Sequence, residues 1–263
     1  MSAKATKILV AMVLGALTAL PAQAQSFLVT FENLQPTNGF SFTPVWIASH
    51  DGTFDVFNGG AAASPELEAL AELGDVGPLR GLFAGSGAGI DRALPGNGFG
   101  AGSPPIFTPG DSATISLNDG GDYFSFASMI IPSNDAFIGN SDPMTYNIGN
   151  LNVGDSLTID ITRFYDAGTE VNDPTDGAAF STDGTTPPNG QGGTDENGNV
   201  TLGDFANFNA TFLNTNTPNG QVTAGLQNVL GRITITAVPE PGSLGFLGAL
   251  GVVLGTFRRR RRS

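Results

Sequence analysis

The 263 residues are 40% hydrophobic and 13% charged, with 37 glycines, 17 prolines, one histidine and no cysteine. So much Gly and Pro excludes a helical bundle or coiled coil, and the missing cysteines exclude disulfides, zinc–thiolate and iron–sulfur sites and thiol nucleophiles. Between Gln25 and Ala237 stand four arginines and 23 of the 24 acidic residues, a formal charge of −19, which excludes nucleic acid as a partner and suits hard cations such as calcium.

Residues 1–24 read as a signal peptide. Lys4 and Lys7 precede the 13-residue apolar run Ile8 to Leu20, and Ala22-Gln23-Ala24 places small residues where signal peptidase reads them. The run is shorter than the roughly 20 residues of a bilayer span, so cleavage before Gln25 is expected.

From there to Ala237 the pattern is mostly of period two, and the segment reads as one β-sandwich domain. Phe27, Val29 and Phe31 alternate with Leu28, Thr30 and Glu32, which predicts a strand. Further strands are predicted over Phe42 to Ala48, Thr53 to Phe57, Ala113 to Leu117, Tyr123 to Ile131, Ser156 to Phe164 and Gly231 to Ala237, separated by turn residues. One helix interrupts the series. Ser64 caps it, Pro65 and Glu66 fill its first turn, Gly74 stops it, and Leu67, Leu70 and Leu73 share one side. It is expected to cover one end of the sandwich and to carry no chemistry. Gly85 to Pro109 and Asn172 to Gly198 read as long surface loops. The expected fold is thus mainly β, an antiparallel β-sandwich with one short helix and long Gly/Asp-rich loops.

Residues 238–263 form a tripartite tail: Val238-Pro239-Glu240-Pro241-Gly242, the apolar stretch Leu244 to Phe257, then Arg258 to Arg262. An apolar span before arginines is a stop-transfer pattern, and fourteen residues suit transient rather than permanent membrane insertion. The tail resembles the PEP-CTERM sorting signal of Gram-negative bacteria. That resemblance implies cutting near Pro-Glu-Pro by an exosortase-type membrane enzyme, and release to the cell surface, the extracellular matrix or the medium.

Three short pieces carry chemistry: Pro44-Val45-Trp46-Ile47-Ala48-Ser49-His50, Met129-Ile130-Ile131-Pro132-Ser133-Asn134-Asp135, and Asp166-Ala167-Gly168-Thr169-Glu170. Asp135 follows a strand that ends at Pro132. Asp166 and Glu170 flank a glycine turn that can bring their carboxylates together. Taken alone, these acids are open to two readings, solvated turn residues or ligands of a divalent cation in a body poor in positive charge. With Leu70-Ala71-Glu72-Leu73-Gly74 between them, the ordered set resembles the spondin domain family over roughly Phe27 to Phe180. The family pattern departs here at Asn134 and Ala136, and Glu170 stands where the family has Asp. The resemblance implies an adhesion or matrix-interaction module that binds one calcium ion through Asp135, Asp166 and Glu170, with its ligand unspecified. Two other functions stay open, a hydrolase of matrix polysaccharide and a purely structural matrix component. His50 beside Asp51 reads as a structural histidine, since no nucleophile elbow accompanies it. A calcium loop started at Asp195 fails, with Val200 and Ala206 at the positions that require Gly and Glu.

Overall fold

Alternation along the first strand sets the layering. Phe27, Val29 and Phe31 are buried while Leu28 faces water, so this strand has one dry face and one wet face. The structure, a computed structural model, describes residues 25–98, 105–184 and 192–239. Ser26–Val238 form one compact unit. The predicted signal peptide and sorting tail fall almost wholly outside the described residues.

In chain order the first strands are β1 (Gln25–Asn33), β2 (Ser41–Phe42), β3 (Val45–His50), β4 (Gly89–Leu94), β5 (Ser112–Asn118), β6 (Tyr123–Ile131) and β7 (Ala136–Gly139). They are followed by β8 (Tyr146–Asn147), β9 (Ser156–Ile161), β10 (Tyr165–Asp166), β11 (Thr201–Leu202), β12 (Asn216–Thr217), β13 (Gly220–Gln221) and β14 (Gly231–Pro239). The helices are α1 (Pro65–Leu73), α2 (Gly77–Ser86) and α3 (Phe205–Phe212). A four-stranded sheet has the order β5-β1-β14-β9, a larger one runs β11-β10-β7-β6-β3-β4 with β2 and β8 added on β6, and β12-β13 form a small hairpin.

The two large sheets face each other across one core. Phe27, Val29, Phe31, Ile233 and Ile235 meet Val45, Ile47, Phe124, Phe126 and Ile138 there, which is the predicted antiparallel sandwich. The outer face of the smaller sheet is polar, and Thr30 and Thr114 share a hydrogen bond of 2.7 Å across it.

The larger sheet is covered on both faces at its centre, so β3 and nearly all of β6 are inaccessible, and they are mostly apolar apart from Ser49, His50, Ser125 and Ser128. Its second face carries Trp46, Ala48, Ala127 and Phe137 against Leu67 and Leu70 of α1 and Leu79 and Phe83 of α2. The predicted helix therefore lies on a sheet face, not over an end of the sandwich: Leu67, Leu70 and Ala71 bury against that face, while Leu73 stays exposed. Burying Leu67 and Leu70 contributes about 1.5–3 kcal/mol each. Ser64 Oγ accepts from the Leu67 N–H, and Gly74 ends α1 at φ 65.

Other elements differ from expectation. Thr53 to Phe57 is irregular, because Phe54, Val56 and Phe57 pack under the helix layer instead of joining a ladder. Gly85 to Pro109 contains the end of α2 and the whole of β4, paired antiparallel with β3 from Val45↔Leu94 to His50↔Gly89. The expected strand over Phe42 to Ala48 divides at Thr43-Pro44, since proline cannot donate to a ladder. Helix α3 was not expected. Asp204 caps it, and Phe208 and Phe212 fill the core between the sheets.

Candidate metal centre

The segment after β6 turns inward. Ser133 Oγ donates to the Ile130 carbonyl (2.6 Å) and accepts from the Ala136 N–H (3.2 Å). This tight turn drives Asp135 to 0% exposure. The neighbouring strand β10 pairs with β7, placing Asp166 opposite Ala136, and the chain then turns back over Asp135. Gly168 makes the turn at φ 68, and a Cβ there would stand 2.6 Å from the Asn199 carbonyl oxygen, so no larger residue fits.

Backbone groups of this turn hold one side of the Asp135 carboxylate. Its Oδ2 accepts from the Thr169 N–H (2.8 Å) and the Glu170 N–H (3.3 Å). Its Oδ1 is buried and has no partner among the described residues. Glu170 repeats the pattern: 3% exposed, Oε1 accepting from the Gly193 N–H (3.0 Å), Oε2 buried and unpartnered. Asp166 is half-buried, its Oδ1 accepting from the Gly168 N–H (2.9 Å) and its Oδ2 from Asn172 Nδ2 (2.6 Å). Asn172 Oδ1 is a third buried oxygen without a partner.

One further acid joins them. Glu72, in the last turn of α1, lies near Thr169, the residue whose N–H holds Asp135, and near Glu170. Its sign in the sequence was the Leu-Ala-Glu-Leu-Gly piece, whose leucines alone were read. Nothing in a helical period reveals that a glutamate on the flank will meet a turn about a hundred residues later.

Burial outweighs the hydrogen-bond donors that these carboxylates meet. Burial, and then the nearby Asp166, raise the Asp135 pKa well above the ordinary carboxylate range. Burial pushes Glu170 up to about 7, with Asp135 and Asp176 adding repulsion. Burial pushes Glu72 up to about 7 as well, with Glu170, Glu68 and Asp195 adding repulsion. Among the described residues the ion pairs are Arg80–Asp91 and Arg232–Asp160, and neither involves these acids.

No group of three or more His, Asp or Glu side chains among the described residues is gathered tightly enough to enclose a metal by itself. The structure joins Asp135 to Glu170 through the Glu170 N–H and brings Asp166 near Asp135 across the β7–β10 pair. Three buried oxygens, Asp135 Oδ1, Glu170 Oε2 and Asn172 Oδ1, nonetheless have no partner among the described residues. Such atoms cost about 1–3 kcal/mol each when left unsatisfied, more when charged, and a hard cation completed by carbonyls and water suits that donor set.

Two other groups have settled roles. His50 is fully buried, and burial lowers its pKa. Its Nδ1 accepts from the Gly52 N–H (3.0 Å), which leaves the proton on Nε2, 2.9 Å from Ser125 Oγ. A histidine already protonated on that nitrogen cannot take a proton from Ser125, so the pair is structural. Of the two acids that a polysaccharide hydrolase would pair, Asp135 is fully buried and Asp166 half-buried.

The Spondin_N family model matches residues 25–189, a span that contains Glu72, Asp135, Asp166 and Glu170. No curated protein matches the chain.

Proposed function

The chain belongs to the Spondin_N family, and from that premise we propose that it is an exported, calcium-stabilised adhesion or matrix-interaction module. The family is one of extracellular and generally non-enzymatic domains. The expected signal peptide and PEP-CTERM-like tail support export from a Gram-negative cell, with cleavage by signal peptidase and an exosortase-type enzyme after transient membrane insertion.

One observation carries the calcium reading: Asp135 is wholly buried among acids, and one of its oxygens has no partner among the described residues. Asp135, Asp166 and Glu170 would hold the ion, with Glu72 beside them and backbone carbonyls and water completing the shell. The bound ion supplies the positive charge that the body lacks. It also ties the β6–β7 turn to the turn after β10 and to α1, which fixes the loops at that end of the sheet as a recognition surface requires.

The test is a thermal melt of the protein with calcium and with chelator. An ion that binds only the folded state adds about 2.7 kcal/mol at a hundredfold excess over Kd. For a domain of this size that raises Tm by about 5–10 °C. Identical melts in calcium and chelator would overturn the assignment.

A further inference from the structure

We propose that a second site, a cleft between the 36–39 turn, the end of β6 and the β12–β13 hairpin, binds a single uncharged sugar ring, the hexose unit of a neutral polysaccharide. This goes beyond the calcium reading and does not depend on it. The cleft has room for about 150 Å³, less than the roughly 300–1,000 Å³ of sites for drug-sized ligands. That fits one ring and not a length of peptide.

Its chemistry is the reverse of the rest of the surface. In a body of formal charge −19, none of the described side chains lining this cleft is charged. It has no carboxylates for a cation and no arginine or lysine for an anion. What it offers is a set of neutral groups with hydrogen-bonding capacity to spare. The side-chain amides of Asn38 and Asn219 and the hydroxyl of Ser41 make no hydrogen bond to the described residues. Gln221 spends only its Nε2, on the Asn214 carbonyl (2.9 Å), and leaves Oε1 free. Amides and hydroxyls both donate and accept, as the adjacent hydroxyls of a sugar do.

Pro132 and Phe180 also line the cleft, and Phe180 is partly buried against the cluster of Ile106, Met129, Ile131 and Ala179. The C–H face of a pyranose packs on such rings, its weakly positive hydrogens against the negative π-face. Phe180 sits there at φ 63, a left-handed conformation that a bulky aromatic adopts only under constraint. The Ala179 N–H, bonded to the Ser133 carbonyl at 2.8 Å, anchors the chain just before it. Asn38, which also lines the cleft, is left-handed too at φ 61. Asparagine adopts that conformation readily, so the strain lies at Phe180, and strain of this kind concentrates at ligand sites.

The experiment is calorimetric titration of the full chain with cellopentaose, maltopentaose, mannopentaose and, as charged comparator, a polygalacturonate pentamer. At least one neutral oligosaccharide should bind with Kd below about 1 mM, and the charged pentamer should bind at least tenfold more weakly. Phe180→Gly keeps the left-handed backbone without strain and removes the ring; Gln221→Ala removes an exposed acceptor. Each should weaken binding about tenfold, the scale of one lost aromatic or hydrogen-bond contact, with the melting temperature held for Gln221→Ala. Failure of all three neutral oligosaccharides, equal binding of the charged pentamer, or affinity unchanged in both variants would overturn the proposal.

Discussion

Pro132 lines a neutral cleft, and Asp135, three residues on, lies at the heart of an acid cluster. The same turn serves both, and the two regions treat polar groups in opposite ways. In the cleft, the amides of Asn38 and Asn219 stand at the surface, where water satisfies them until a ligand takes its place. In the acid cluster, Asp135 Oδ1 and Glu170 Oε2 are shut away from water with no protein donor among the described residues. An exposed neutral group costs the fold nothing while it waits; a buried carboxylate costs desolvation and repulsion until a proton or a cation arrives. Ligand-linked stability therefore belongs to the acid end, and selection by hydroxyl pattern belongs to the cleft.

The largest test of that contrast is Asp135→Asn. It keeps the shape and the oxygen that accepts from the Thr169 and Glu170 N–H groups, yet removes the central charge. The calcium-dependent rise in Tm, about 5–10 °C for the parent, should vanish. In chelator the variant should melt at or above the parent, because a buried, repelled charge has gone. A variant that still responds to calcium would place the ion elsewhere.

A second test uses pH. Folding raises the pKa values of Asp135, Glu72 and Glu170, so the native state binds protons that the unfolded chain has released. Their stabilising contribution is fully present below the ordinary carboxylate range and is lost as pH rises towards about 7. In chelator, Tm should fall between about pH 4.5 and pH 7. Calcium, which favours the charged carboxylates, should flatten that slope. Asp51, Asp155 and Asp160 are shifted downward, so they act below this window. Parallel pH profiles with and without calcium would separate the acids from the ion.

The smallest expected effect completes the comparison. Gln221→Ala and Asn38→Gly alter exposed groups, and the glycine suits the left-handed backbone at position 38. Each should change stability by less than about 0.5 kcal/mol, with the calcium response intact. A large loss of Tm in either would mean that the cleft, too, holds the fold together.

Much of this was legible in the chain alone because it rests on local periodicity. The alternation of Phe27, Val29 and Phe31 marked a half-buried strand, and Ser64, Pro65 and Gly74 marked the limits of α1 to the residue. Asp135, Asp166 and Glu170 were marked by the resemblance to the spondin pattern, since position at a turn alone left them open to two readings. Elsewhere the same logic misled. Thr53 to Phe57 alternates like a strand, but its aromatics pack beneath helices. Strand β4 was hidden because Gly89–Leu94 mixes Asp91 and Arg92 with apolar residues, and only its pairing with β3 makes it a strand.

By itself the sequence determined the secondary structure of the periodic segments, the excess of negative charge and the absence of thiol chemistry, since each depends on neighbours along the chain or on composition. The tertiary structure decided everything that joins residues far apart. It put α1 on a sheet face, with Glu72 near Thr169 and Glu170. It buried Asp135 and left Oδ1 without a partner among the described residues, and it gathered Asn38, Phe180 and Gln221 around one neutral space. Burial and the approach of like charges depend on distance through space, and no pattern along a chain records that distance.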